Sequence, residues 1–191
     1  PTPARTLVAV DELFSDLRKL FPDSFIHFAA THRGATLYID RAQIEQVLIN
    51  LMENAVQHGK TTTRIELRLS SAGGLAVFEV ADNGCGIAPE QLPTAFLRHA
   101  TSKLRRPEDL AAIGTLGFRG EALAAIAAVS RVDIFSRQTG ADCGAALHLE
   151  GGVPAGVAEA GCPDGTTVCV RDLFYNTPAR MKFMKKDSAC L

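Results

Sequence analysis

Tryptophan is absent from the 191 residues and aromatic side chains make up only 6% of them, yet 47% are hydrophobic, so a core can form without large rings. No charge of one sign dominates. Twenty Lys and Arg stand against 21 Asp and Glu, which removes any global electrostatic case for nucleic acid and leaves only a local basic cluster to consider. The five cysteines, Cys85, Cys143, Cys162, Cys169 and Cys190, are odd in number and contain no CxxC pair. That pattern fits free thiols in a reducing, cytoplasmic compartment better than a disulfide frame or a zinc site. No apolar run approaches a membrane span and no signal peptide is visible, so no membrane partner is expected. Two phosphate-binding designs are missing as well: there is no Walker A loop ending in GK[ST], and no GxGxxG on a first strand. The chain opens on PTPARTLVAV without Met, which reads as a piece of a longer protein, and its length suits one domain.

What is present is an ordered alternation of helices and strands. Residues 8–20 place Leu13, Leu17 and Leu20 at helical spacing, with Asp11 as the expected N-cap. Residues 24–30 and 36–39 read as a hairpin around the turn THRGA. Asp40 then caps a long amphipathic helix, 41–58, whose apolar stripe is Ile44, Val47, Leu48, Leu51, Met52 and Val56, and Gly59 ends it. Residues 62–70 and 75–81 alternate like paired strands joined by SAGG. A short helix is expected near 89–98, an Ala-rich helix after LGFRG, and strands at 131–137, 144–150 and 166–171. The sum is an α/β layer arrangement over a mixed sheet, without repeats or a low-complexity linker.

Three stretches carry chemistry. On the long helix, Asn50, Glu53, Asn54 and Gln57 form a polar stripe beside the apolar one. A solvated face is one reading. The other follows from the apolar neighbours of Asn50 and Asn54: buried unpaired amides cost about 1–3 kcal/mol each, and a magnesium-bound phosphate chain would supply partners. Next, DNGCG (82–86) sets Asp82 at a strand end, where its carboxylate can accept from an exocyclic amine such as that of adenine. Gly84 and Gly86 let backbone approach a flat base, although Asp-Asn-Gly is also a common turn. Finally, LGFRGEAL puts glycines on both sides of Phe118 and Arg119 just before a helix, where backbone N–H groups favour an anion.

An Asn-bearing helix, DNGCG, a glycine loop and a later GTT resemble the GHKL, or Bergerat-fold, ATPases. From about residue 77 the chain is similar to MutL-type mismatch-repair proteins, on DNGCGI, RHATSK (98–103), LGFRGEAL, SRVDIFSR (130–137) and DLFYNTPARMKF (172–183). The first 70 residues look instead like the start of a sensor histidine kinase catalytic domain: Asn50, Leu51, Asn54, Ala55 and His58 fit its NLxxNAxxH pattern, and the IAAGEV-like arm of MutL is missing. The resemblance therefore implies one ATP-binding domain over 1–191. It also implies a chimera of a kinase-like segment (1–70) and a MutL-like segment (71–191), with a mixed, mainly antiparallel sheet carrying helices on one face.

Carried over residue by residue, the resemblance makes Asn54 the magnesium ligand and Asp82 the reader of the adenine amine, with Gly86 beside the base and Thr166 supporting Asp82 or a bridging water. Thr101, Ser102 and Lys103 would lie in a lid near phosphate. Gly117, Phe118, Arg119 and Gly120 would wrap the phosphates. The expected ligand is ATP or ADP with magnesium. In MutL-type proteins a glutamate four residues before the magnesium asparagine acts as general base, and here that position is Asn50. An amide cannot take the proton, and loss of a general base costs about 10²–10⁴-fold, so weak or no hydrolysis is expected. Glu53 is the nearest carboxylate that could substitute, against its ordinary role on an exposed helix face. Arg171, Arg180, Lys182, Lys185 and Lys186 give a basic tail on which DNA contact would be weak and salt-dependent. A monomer is expected. Two alternatives stay open: a folded chimeric scaffold without a working site, and a mismatch-repair paralogue that binds DNA.

Overall fold

The structure, a computed structural model, describes residues 5–22, 25–31, 34–58, 61–97 and 121–176. Nine strands and four α-helices follow in order among these residues: β1 (Thr6–Ala9), α1 (Val10–Leu20), β2 (Ile26–Ala30), β3 (Thr36–Ile39), α2 (Arg41–His58), β4 (Ile65–Ala72), β5 (Leu75–Asp82), a 3₁₀ turn (Pro89–Gln91), α3 (Leu92–Leu97), α4 (Glu121–Ala128), β6 (Arg131–Arg137), β7 (Gly144–Glu150), β8 (Val153–Ala160) and β9 (Gly165–Arg171). Seven strands form one sheet in the order β2-β4-β5-β9-β6-β7-β8, and β1 and β3 form a separate pair. Only β2–β4 is parallel; the other pairs in the large sheet are antiparallel. The expected mixed, mainly antiparallel α+β sheet is thus what the chain forms.

The hairpin expected from residues 24–39 does not form. Strand β2 pairs in parallel with β4, and a parallel pair needs a long crossover, which β3 and α2 provide. Strand β3 turns away to pair with β1, which buries Val8 under the small sheet. Asp11 is likewise not a cap. The N-cap of α1 is Ala9, without a side-chain bond, because β1 runs straight into the helix and the Val10 N–H donates to the Ala35 carbonyl at 2.9 Å. Asp40 does cap α2, its Oδ1 accepting the Gln43 N–H at 3.3 Å.

The core lies between the helices and one face of the large sheet. Leu48, Met52, Ile65, Leu67, Ile134, Leu147 and Leu149 are fully buried there, each contributing about 1.5–3 kcal/mol relative to exposure. Period-two alternation puts Ile65, Leu67 and Leu69 of β4 inward and sends Glu66 and Arg68 outward. On α2 the stripe is rotated slightly from its expected position: Ala55 is buried, whereas Val56 is 39% exposed. The opposite sheet face carries ion pairs, including Arg68–Glu66 at 2.8 Å, Arg68–Glu79 at 2.6 Å, and Arg171–Asp133. Arg171, counted with the basic tail in sequence, is therefore held by a carboxylate within the sheet. Residues 180–186 lie outside the described residues. Strand β8 was not anticipated. Pro154 and Gly156 read as loop, but β8 is an exposed edge, where a strand tolerates both.

Candidate functional site

Asp82 is the last residue of β5, and the sheet register sets it opposite Ile65 on one side and Thr166 on the other. Its Oδ1 accepts the Gly84 N–H at 2.8 Å, and the Thr166 backbone N–H also donates to the carboxylate. Burial pushes this half-buried carboxyl up from its ordinary range, and the two backbone donors pull it part of the way back. The result is a carboxylate fixed by backbone alone, with acceptor capacity left over.

The neighbours of Asp82 leave no room for rearrangement. Gly86 has φ +70°, and a Cβ there would lie 2.0 Å from the Arg137 carbonyl oxygen. Gly165 has φ +99°, and its Cβ would lie 2.0 Å from the Asp82 carbonyl oxygen. The loop after β5, the end of β6 and the start of β9 therefore meet backbone to backbone. Asn83 completes the clamp. Its Oδ1 accepts the Thr63 and Arg64 N–H groups at 3.0 and 2.8 Å, and its Nδ2 donates to the Thr63 hydroxyl at 2.9 Å. In DNGCG, then, Asp82 keeps spare acceptor capacity while Asn83 and Gly86 are occupied within the protein, which gives Gly86 a reason to be glycine independent of any base.

Two residues at this end escaped the sequence reading. Gly165 stands one residue before Thr166. Ser136, 1% exposed, contacts the Ile87 N–H at 2.8 Å, the Thr166 Oγ1 at 2.9 Å and the Gly165 carbonyl at 3.0 Å. The signal was in the alternation of β6: Val132, Ile134 and Ser136 share the inward row, and a hydroxyl at a core position demands partners.

On α2 the polar stripe divides. Asn50 is 6% exposed and its Oδ1 accepts from Gln46 Nε2 at 3.2 Å, while its Nδ2 is buried without a partner among the described residues. Asn54 Nδ2 donates to the Asn50 carbonyl at 2.7 Å. A carbonyl only accepts, so the amide nitrogen must face it, and the Asn54 Oδ1 is turned away from that bond. Glu53 and Gln57 are exposed. Helix α2, which carries the asparagines, packs on β4, on α4 and on β5, the strand that ends in Asp82. Thr101, Ser102, Lys103, Gly117, Phe118, Arg119 and Gly120 lie outside the described residues. Among the described residues no cluster of three His, Cys, Asp or Glu side chains could hold a metal by itself. A cation on Asn54 would need further oxygens from its own ligand, and phosphates are suited to supply them.

The profile of histidine kinase-, DNA gyrase B- and HSP90-like ATPases matches residues 39–141, more than half of the chain and from the start of α2 through Asp82 to β6. The chain belongs to this ATPase family. Within it, the chain is 46% identical over 142 residues to the DNA mismatch repair protein MutL of Acidobacterium capsulatum, a match that takes in 74% of this chain and 21% of that protein. It thus spans about a fifth of the curated relatives it matches. Among solved structures, the MutL ATPase domain of Aquifex aeolicus complexed with ADP superposes with a TM-score of 0.50 at 29% identity, over 72% of this chain and 46% of that one. The catalytic domain of the histidine kinase ThkA superposes with a TM-score of 0.55 at 17% identity, over 90% of this chain and 96% of that one, a likeness of fold. Both resemblances read from sequence are therefore present.

Proposed function

We propose that this member of the histidine kinase-, gyrase- and HSP90-like family is a binding domain for magnesium-chelated ATP or ADP. The observation that carries the reading is Asp82: a half-buried carboxylate, anchored by two backbone N–H groups beside Thr166, with acceptor capacity left for a base amine. The relative from Aquifex aeolicus bears ADP. In this reading Asp82 takes the purine amine, Gly84 and Gly86 form the loop beside it, and Thr166 supports it. Asn54 Oδ1 takes magnesium, and Asn50 Nδ2, without a partner among the described residues, donates to a phosphate oxygen or an ordered water. The ion would supply charge neutralisation of the phosphates.

Hydrolysis is weak in this reading, because the position of the MutL-type glutamate holds an amide and the exposed Glu53 is left outside the machinery. The chain combines a kinase-like segment, 1–70, with a MutL-like segment, 71–191. We place the domain in the cytoplasm as a monomer, with DNA contact weak. Among the described residues, no helix is long and apolar enough to cross a membrane.

Thermal unfolding with ADP tests the reading. A ligand at a hundred times its dissociation constant adds about 2.7 kcal/mol to stability, so a rise of several degrees is expected with magnesium and ADP, reduced by EDTA. An unchanged melting curve at millimolar nucleotide would instead support a folded scaffold without a working site.

A further inference from the structure

We infer that Ser136 is a positioning residue: it fixes the direction of the Thr166 hydroxyl, and through it makes the base end of the site select 6-aminopurines over 6-oxopurines. This rests on the nucleotide reading above and adds to it the source of base discrimination.

A hydroxyl donates one hydrogen and accepts two. Around Ser136 Oγ stand three partners: the Gly165 carbonyl at 3.0 Å, the Ile87 N–H at 2.8 Å and the Thr166 hydroxyl at 2.9 Å. The carbonyl can only accept, so it takes the serine hydrogen. The amide can only donate, so it uses one lone pair. What remains for Thr166 is a lone pair, and its hydroxyl must donate to Ser136. The reverse arrangement would set the serine and carbonyl oxygens lone pair to lone pair at a residue 1% exposed, where no water relieves the repulsion.

With its hydrogen committed inward, Thr166 Oγ1 offers only lone pairs to anything beside it. Asp82, its partner across the β5–β9 register, offers only lone pairs when ionised. The base end is therefore acceptor-only. A 6-amino group brings two N–H donors to such an edge; a 6-oxo group brings lone pairs and finds no donor. Asp82 alone accepts the amine, but a threonine free to rotate could turn and donate to a 6-oxo oxygen. Ser136 removes that option. The side chains that face Thr166 Oγ1 in this network come from β6, and the backbone that holds Ser136 in place comes from the loop after β5 and the start of β9, so the direction is set by three segments at once.

The test is calorimetric titration at pH 8 with ADP and with inosine diphosphate, on the wild-type chain, Ser136→Ala, Thr166→Val and the double variant. For the wild type, ADP should bind about 100-fold or more tightly than inosine diphosphate. Ser136→Ala should cut that ratio about 10-fold while changing ADP affinity by about 3-fold or less, and it should have no further effect on the ratio in the Thr166→Val background. Should Ser136→Ala fail to fold, Ser136→Cys keeps the shape with a weaker donor and acceptor, and the same ratio is read. A Ser136 variant that weakens both nucleotides equally, or that still lowers the ratio in the Thr166→Val background, overturns the inference and leaves nucleotide binding intact. A wild-type chain that binds neither nucleotide overturns the nucleotide reading and this inference together.

Discussion

The region around Asp82 and the polar stripe of α2, the two ends of the proposed site, are built on opposite principles. Around Asp82, Ser136 and Thr166, side chains and backbone are bonded to one another, and two glycines let three chain segments touch. On α2, Asn50 buries a polar nitrogen with no partner among the described residues, a deficit of about 1–3 kcal/mol. The region around Asp82 is held in place before any ligand arrives, so under the proposed reading little is spent on ordering it. The helix end is under-satisfied and stands to gain from a ligand. If the two regions serve one nucleotide, as proposed, a rigid half would face the base and a half with a local deficit would face the hydrated phosphate chain.

The largest effect is expected from repairing the helix end. Asn50→Glu restores a carboxylate at the general-base position and should raise ATP turnover about 10²–10⁴-fold, read as phosphate release in single-turnover mixing. No rise in a variant that still binds ADP would show that the amide is not what limits hydrolysis. At the base end, Gly86→Ala forces a methyl to within 2.0 Å of the Arg137 carbonyl at φ +70° and should cost about 3 kcal/mol in denaturant unfolding. A loss under about 1 kcal/mol would mean that the three-segment contact is soft.

Asp82→Asn separates binding from stability. It should lower ADP affinity about 100-fold, or about 2.7 kcal/mol, by calorimetry. Burial holds the Asp82 carboxyl above its ordinary range. A carboxyl whose pKa rises on folding favours the folded state fully below its unfolded value, and that contribution is lost as pH rises through the folded value. The ionised group thus opposes folding at neutral pH. The variant should therefore melt no lower than wild type at pH 7 and should lose that part of the acid-side pH dependence. A lower melting temperature would place Asp82 among structural groups instead. The smallest effect belongs to Glu53→Gln: with the side chain exposed on α2, turnover and ADP affinity should stay within about 2-fold.

Much of this comparison was legible in the residues. Periodicity located α2 to the residue because its apolar stripe is long and its cap, Asp40, is explicit. Strands β4 to β7 followed from alternation and turn chemistry. Pairing was less legible. The segments that became β2 and β3 have hairpin spacing, but their partners, β4 and β1, are chosen by burial of Ile26 and Val8, which no local window reports. For the candidate site, Asp82 and Asn54 stand out in sequence because their chemistry is visible in isolation. Ser136 shows in sequence only as a hydroxyl on an inward row and Gly165 only as part of GTT; their partners exist only once β6 and β9 are neighbours. Strand β8 was hidden by Pro154 and Gly156, residues that argue against a central strand but not against an edge.

A crystal structure of the chain grown with ADP and manganese, the latter located by its anomalous signal, tests the union of the two ends most directly. The account predicts the purine amine on the Asp82 carboxylate and the ion on Asn54 Oδ1, bridged by the phosphates of a single nucleotide. A nucleotide bound elsewhere, or an ion seated away from α2, would contradict it.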